Sequence, residues 1–385
     1  MSKFKTKFWI LIILVVIASF LIIKFQTTEK TKDLVDLSYL NLDDNTYIFE
    51  FSAILDYYFT KKPEYNIENV FSERDKKKFD KQLREKLIEL LNMPFKQSEK
   101  IMKVLEEKDK GKYTETKVRL LITDNVISEA YLLVPKNIEF PAPAVIAMHQ
   151  HGGNYEYGKE EVVGNIGDSD LAYGKELAER GYIVLAMDAP LFGAGSQIGY
   201  ENSPETAEIF NAQGLFVLGH SPLGVIVQED IISLDYLSSL DIVDKENIGC
   251  IGHSFGGIRC MYLSALDKRI KVTVLSSSVA NLKFNYEVGN THTWLAILPG
   301  IVKYTETSGI LALISPRALK IFYTEKDPIY PQQEAEKQLK ALEKIYTRLD
   351  KKEKLEAVRI INRSHEFPIE YHQQAYEFLD KNLKT

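Results

Sequence analysis

The stretch Ile248-Gly-Cys-Ile-Gly-His-Ser254-Phe-Gly-Gly257, continued by Ile258-Arg-Cys-Met-Tyr-Leu263, decides the fold. A short apolar run leads into an apolar helical segment through a serine with glycine two positions to either side, Gly252 and Gly256. Such a run bounded by a turn signal is the pattern of a strand buried on both faces. A G-x-S-x-G turn from strand to helix is the context of a nucleophile elbow. The turn is so tight that side chains at the two glycine positions would collide, which is why residues without a Cβ stand there. The bland alternative is a glycine-rich turn in which the serine is incidental. Placement between a strand and a helix favours the elbow, with the serine hydroxyl lifted above the sheet edge toward substrate.

Working outward, the same alternation repeats. Val118–Ile122 and Ala130–Pro135 read as a strand pair, and Ala144–Met148 after Pro143 as a buried strand. A helix is expected over Leu171–Arg180, stopped by Gly181, then a strand at Tyr182–Met187. Val227, Ile231 and Leu234 make a helical stripe ahead of the elbow strand. Beyond the elbow helix come strands at Ile270–Leu275, Leu319–Tyr323 and Leu355–Ile361, with helices between them and a last helix from Pro368. Strands alternating with helices imply a mostly parallel sheet covered on both faces. Upstream, Ser72 with Asp75 resembles a capping box opening a helix whose Phe79, Leu83, Leu87, Leu90 and Leu91 share one face, stopped at Asn92-Met93-Pro94. Connections 188–224 and 276–316 exceed ordinary loop lengths and are expected to wall the site. Tyr286, Trp294 and Tyr304 in the second are candidate pocket residues.

The N-terminus has a different character. Lys3, Lys5 and Lys7 precede an apolar run from Phe8 to Ile23 broken only by Ser19, and Lys24 closes it. At about 1.5 Å per residue the run falls slightly short of a hydrocarbon core of about 30 Å, and a snorkelling Lys24 would let Phe25 extend it. The lysines place the N-terminus on the cytoplasmic side and the body outside. A cleaved signal sequence, giving a secreted protein, is the rival reading, although no small-x-small cleavage site follows. The organisation expected is therefore 1–25 anchor or signal, 26–74 linker or extension, and 75–385 catalytic body. A net charge of −6 without a downstream cationic cluster excludes a nucleic-acid-binding body. Two cysteines, Cys250 and Cys260, cannot build a disulfide framework and read as buried free thiols in strand and helix.

Serine needs a base, and the base an orienting acid, in the chain order Ser, Asp or Glu, His. Of seven histidines only His292, His365 and His372 follow the elbow. His292 lies in a long insertion, and His372 is expected on the surface of the last helix. His365, in the loop between the last strand and last helix, is the base. Asp327, in Thr324-Glu-Lys-Asp-Pro328 just beyond a strand's carboxyl end, is the acid, with Glu325 its nearest rival. The oxyanion donors expected are the amides of Phe255 and of Gly153, in His149-Gln-His-Gly-Gly153-Asn154, with Gly152 its neighbour. His151, Gly152 and Trp294 are further candidates for the substrate pocket. His149 and His151 alternate as metal ligands on a strand do, but no third ligand accompanies them, so no metal is expected. Gly193-Ala-Gly195 fails the dinucleotide fingerprint, and no phosphate-binding loop occurs, so no cofactor is expected.

These residues carry a resemblance over about 75–382. His149-Gln-His-Gly-Gly153, Glu176-Leu-Ala-Glu-Arg-Gly-Tyr182, the elbow segment, Ser315-Pro-Arg317 and Glu325-Lys-Asp327-Pro together resemble the α/β-hydrolase superfamily. Within it the chain looks like the dienelactone hydrolase and acetyl xylan esterase group, related to prolyl oligopeptidase catalytic domains. The resemblance implies an α/β-hydrolase fold and a triad of Ser254, Asp327 and His365. It departs at Thr324, where relatives often carry glycine, and at Gly193–Ser196, where they often carry arginine. The activity expected is hydrolysis of short acyl or acetyl esters, small or carried on carbohydrate. A serine peptidase of the prolyl oligopeptidase type, or a non-catalytic surface binding protein on the same scaffold, are the alternatives. The sequence leaves the substrate and the oligomeric state open.

Overall fold

A computed structural model describes residues 51–95, 102–196, 203–287 and 293–384. The apolar run at 8–25 lies outside them, and among the described residues no single helix is long and apolar enough to cross a membrane.

One nine-stranded sheet organises the compact unit Tyr58–Thr385. Its strands are β1 (Met102–Asp109), β2 (Tyr113–Thr123), β3 (Val126–Pro135), β4 (Ala142–Met148), β5 (Ile183–Met187), β6 (Val243–His253), β7 (Ile270–Ser276), β8 (Ala318–Thr324) and β9 (Leu355–Ile360). The order is β1-β2-β3-β5-β4-β6-β7-β8-β9. The first three strands and the β3–β5 pairing are antiparallel, and from β5 to β9 every pairing is parallel. The major helices are α1 (Glu73–Leu91), α2 (Tyr173–Glu179), α3 (Pro204–Val217), α4 (Pro222–Leu237), α5 (Phe255–Leu266), α6 (Gln332–Arg348) and α7 (His372–Leu383).

Period-two alternation splits the central strands between two cores. Val145, Ala147, Val184, Ile251, Val274 and Phe322 join Leu177 of α2 and Leu379 of α7 on one face. Ala144, Ile146, Leu185, Ile248, Leu275 and Ile321 join α1, α4 and α5 on the other. With apolar partners on both sides, these strands read as continuous hydrophobic runs.

Helix α1 shows how sequence sets an element. Ser72 Oγ accepts from the Asp75 amide, one of the orphan donors of the first turn, and Asp75 Oδ2 accepts from the Phe71 amide just ahead of the cap. Phe79, Leu83, Leu87 and Leu91 are buried, at about 1.5–3 kcal/mol for each fully buried side chain. Asn92, at φ 41°, ends the helix in the left-handed region.

Residues 58–74, part of the stretch expected as linker or extension, lie within the compact unit. The amides of Glu64 and Tyr65 donate to the carbonyls of Lys303 and Tyr304 at 2.9 and 2.7 Å, and Ile67 and Val70 are buried in the main core. The cysteines also differ from expectation: Cys250 of β6 and Cys260 of α5 form a disulfide, Cα–Cα 5.8 Å. The elbow folds α5 back across β6, which brings together residues four before and six after Ser254. Sequence distance alone does not reveal that apposition.

Candidate active site

Strand β6 delivers Ser254 at the carboxyl edge of the sheet with φ 54° and ψ −122°, a conformation costly for a residue with a Cβ. The Ser254 amide donates to Ser276 O at 2.8 Å, which holds the turn against β7. A Cβ on Gly252 would run into the backbone of Gly256, and one on Gly256 into Met148 O. The glycines of the motif are therefore close approaches between α5 and strands β6 and β4. Ser254 itself is buried at 1% exposure, not open above the sheet as the motif suggested.

His365 comes from the loop between β9 and α7. Its Nε2 lies 2.7 Å from Ser254 Oγ and its Nδ1 2.9 Å from Asp327 Oδ2. Asp327 follows β8, and its Oδ1 accepts from the amides of Ile329 and Tyr330, both at 2.9 Å. Thr324 donates its hydroxyl to Asp327 Oδ2 at 3.2 Å, so the departure from glycine supplies a further donor to the acid. Burial opposes ionisation of Asp327. The hydrogen bond to His365 and the amides of Tyr330 and Ile329 outweigh it and hold the carboxyl below its ordinary range. Glu325 points elsewhere, its Oε2 accepting from the Asn362 amide. The Tyr330 ring stacks on the His365 imidazole with centroids 5.7 Å apart. His253, with its ring 4.9 Å from that of His365, is fully enclosed, and burial pushes it far below its ordinary pKa. It stays neutral and adds no positive charge beside the candidate base.

Phe255 opens α5, so its amide is one of the first-turn donors without an intrahelical acceptor. Across from it runs the loop after β4. Gly152 and Gly153 follow one another at φ +59° and +71°, a succession that glycine adopts at little cost. The Gly153 amide donates to His151 Nδ1 at 3.1 Å. His151 in turn directs Nε2 at Glu208 Oε2, 2.8 Å away. His149 is buried and driven neutral by burial and by the nearby Arg259 charge. Its Nε2 accepts from the Ala189 amide and its Nδ1 meets Gln150 O, so the two histidines of the loop face different partners. Among the described residues no cluster of His, Cys, Asp and Glu fit for a metal ion occurs.

Glu208 gave no signal in the sequence. It sits on α3, within the long connection after β5, at 3% exposure. Four donors converge on its carboxylate: His151 Nε2 and Tyr155 OH on Oε2, Thr293 Oγ1 and the Trp294 amide on Oε1, at 2.6–2.8 Å. Burial acts to raise its pKa, but the bonds from His151, Tyr155 and Thr293 win and lower it to about 2. Trp294 is half-buried, with its ring centroid 6.5 Å from that of Phe216 of α3. Tyr304 instead stacks on Tyr65 outside the site, and Tyr286 is partly exposed, its ring 6.2 Å from that of Phe59. His372 is buried, with Nδ1 2.8 Å from Glu176 Oε2, because α7 turns that face onto α2 and not to solvent. His292 lies outside the described residues. Asp188, which precedes the Gly193–Ser196 departure, makes a buried pair with Lys159 Nζ at 2.6 Å. Gly158 and Gly193 fit closely around its carboxylate.

A parallel sheet, a serine on a strained strand-to-helix turn, and an acid and a histidine from later strand ends define an α/β-hydrolase. The chain belongs to the Abhydrolase family, whose model matches residues 37–282. A relative in Bacillus subtilis (strain 168), named "Putative hydrolase YtaP", is 32% identical over 257 residues, 66% of this chain and 83% of that protein. Among solved structures, one described as a putative acetyl xylan esterase from Bacteroides fragilis superposes with a TM-score of 0.72. It is 20% identical, with 83% of this chain and 84% of that chain covered. A glucuronoyl esterase from Solibacter usitatus gives 0.57 at 13% identity, over 78% and 91% of the two chains. The resemblance to α/β-hydrolases read from the sequence is thus borne out, and at such identities the solved structures speak for the fold.

Proposed function

We propose that this protein hydrolyses carboxylic esters of short acyl groups, small or carried on carbohydrate, through an acyl-enzyme on Ser254. The reading rests above all on the hydrogen-bond chain Ser254–His365–Asp327 at the elbow, 2.7 and 2.9 Å. His365 Nε2 takes the hydroxyl proton as Ser254 Oγ attacks the ester carbonyl. The oxyanion is held by the Phe255 amide and by the Gly153 amide, whose proton it shares with His151 Nδ1. Collapse of the tetrahedral intermediate breaks the bond to the alcohol, and His365 returns its proton to the departing alkoxide. Water, deprotonated by the same nitrogen, then releases the acid and regenerates the serine. Asp327 keeps the imidazole proton on Nδ1, so that Nε2 is free to accept.

Ester over amide is supported by the names of the structural relatives and by chemistry: an alkoxide leaves with less help from a protonated base than an amine does. We also propose that residues 8–25 anchor the chain with its catalytic body outside the cytoplasm. The lysines before the run support that orientation, and the Cys250–Cys260 disulfide suits an oxidising compartment. The deciding experiment measures kcat/KM for p-nitrophenyl acetate, longer acyl esters, acetylated sugars and prolyl anilides, with wild-type and Ser254→Ala protein. Short esters should lead, and the variant should lose about 10⁶-fold in turnover while staying folded. Near-wild-type cleavage by Ser254→Ala, or an anilide preference over every ester, would overturn the proposal.

A further inference from the structure

The Gly152–Gly153 pair has little to fix it from within. Two consecutive glycines leave many backbone states open, and nothing lies within 4 Å of where a Gly153 Cβ would stand. One side chain touches its amide: His151, through Nδ1. An amide N–H can only donate, so Nδ1 must carry a lone pair and, in the neutral ring, the proton must sit on Nε2. Glu208 Oε2 stands 2.8 Å from that nitrogen and, as a carboxylate, can only accept. The two contacts therefore demand the same tautomer. The pair parallels Asp327–His365, with a backbone amide in place of the serine hydroxyl at its far end.

We propose that Glu208 is a positioning residue: it holds the Nε2 proton of His151 and thereby fixes the Gly152–Gly153 peptide on the oxyanion side of Ser254. The inference rests on the ester-hydrolase reading for its kinetic consequence, though not for its structural one. The carboxylate also joins the two long insertions to this loop, since Thr293 and the Trp294 amide occupy its other oxygen. The Tyr155 and Thr293 hydroxyls can turn to accept, but the Trp294 amide can only donate. A glutamine at 208 therefore keeps its one acceptor oxygen on the Trp294 side and its NH2 toward His151 and Tyr155. Two donors would then face an NH2 group. Relief on the His151 side requires its proton to move to Nδ1, where it meets the Gly153 N–H head on. The peptide must turn away, and the geometry of the oxyanion donor is lost.

The test uses the full-length protein in detergent, with histidine labelled at both ring nitrogens. Two-bond proton–nitrogen spectra distinguish the tautomers, with His151 assigned by the signal lost in His151→Asn. Wild type should show His151 as the Nε2–H form. Glu208→Gln should show the Nδ1–H form, with kcat on a short ester reduced about 10- to 100-fold and KM changed less than about threefold, as for a misplaced oxyanion donor. Thr293→Val removes a donor from the same carboxylate without touching Oε2. It should keep the Nε2–H tautomer and kcat within about twofold at a similar thermal midpoint, which separates positioning from general support of the fold. An Nδ1–H form in wild type overturns the proposal whether or not Glu208→Gln folds. So does an unchanged tautomer or an unchanged kcat in a folded Glu208→Gln protein. Should wild type turn over no ester, the functional reading fails by itself. The spectra still decide the link, and the rate of fluorophosphonate labelling at Ser254 then replaces kcat.

Discussion

Replacing Asp327 by asparagine removes one charge and almost no volume, and the structure says how the amide must sit. Oδ1 accepts from two backbone amides, Ile329 and Tyr330, each at 2.9 Å. Turning an NH2 toward them would abandon both bonds and oppose donors to donors, at about 1–3 kcal/mol for each unsatisfied group. The asparagine oxygen therefore stays on the amides, and the NH2 takes the place of Oδ2, 2.9 Å from His365 Nδ1. The rotatable hydroxyl of Thr324, 3.2 Å away, can turn to accept the second N–H, so nothing local resists this arrangement. His365 Nδ1 must then accept, which sends the imidazole proton to Nε2, the atom 2.7 Å from Ser254 Oγ that has to be bare. The expected loss is about 10⁴-fold in kcat, or about 5 kcal/mol of barrier, with the fold intact. Steady-state hydrolysis of p-nitrophenyl acetate measures it, beside thermal midpoints and a Glu325→Gln control that should lose little. Activity of Asp327→Asn within about tenfold of wild type would refute the tautomer argument, and a crippled Glu325→Gln would move the acid two residues upstream.

Two other outcomes follow from buried charge and from the N-terminal run. Burial, with the neighbouring Asp230 charge, pushes Glu229 up to about 8 from an ordinary 4.5. The folded state thus holds a proton that the unfolded chain releases between those values, so this group's contribution to stability falls as pH rises from about 4.5 to about 8. Glu229→Gln should flatten the decline of the thermal midpoint between pH 5 and 8 and be the more stable protein at pH 8; parallel curves for the two proteins would contradict it. For topology, protease added to intact cells should remove the catalytic body of the membrane-bound protein. A chain found in the cytosol with residues 1–25 still present would exclude the anchor.

The order of the elements and the chemistry of the elbow were written in the sequence, because both rest on local rules. Continuous apolar runs between helical stripes can satisfy their backbone only in a sheet buried on both faces. Glycines two positions either side of Ser254 can have no bulk where α5 meets β6 and β4. Asp327 and His365 were legible through position as well, each following a strand's carboxyl end in the order that an elbow requires. What stayed hidden depends on segments distant in sequence meeting in space. Nothing near Cys250 or Cys260 tells that the elbow turns them face to face. His372 looked like a surface residue until α7 was laid against α2. Thr324 looked like a departure from the pattern, although its hydroxyl reaches the acid. Glu208 is the plainest case. On a helix within a long connection a glutamate reads as a solvated charge, and only the closing of two insertions over the loop after β4 surrounds it with four donors from two segments. Local sequence specifies backbone conformation and burial pattern. The partners of a buried polar group are set by the tertiary structure, because they come from wherever the chain happens to return.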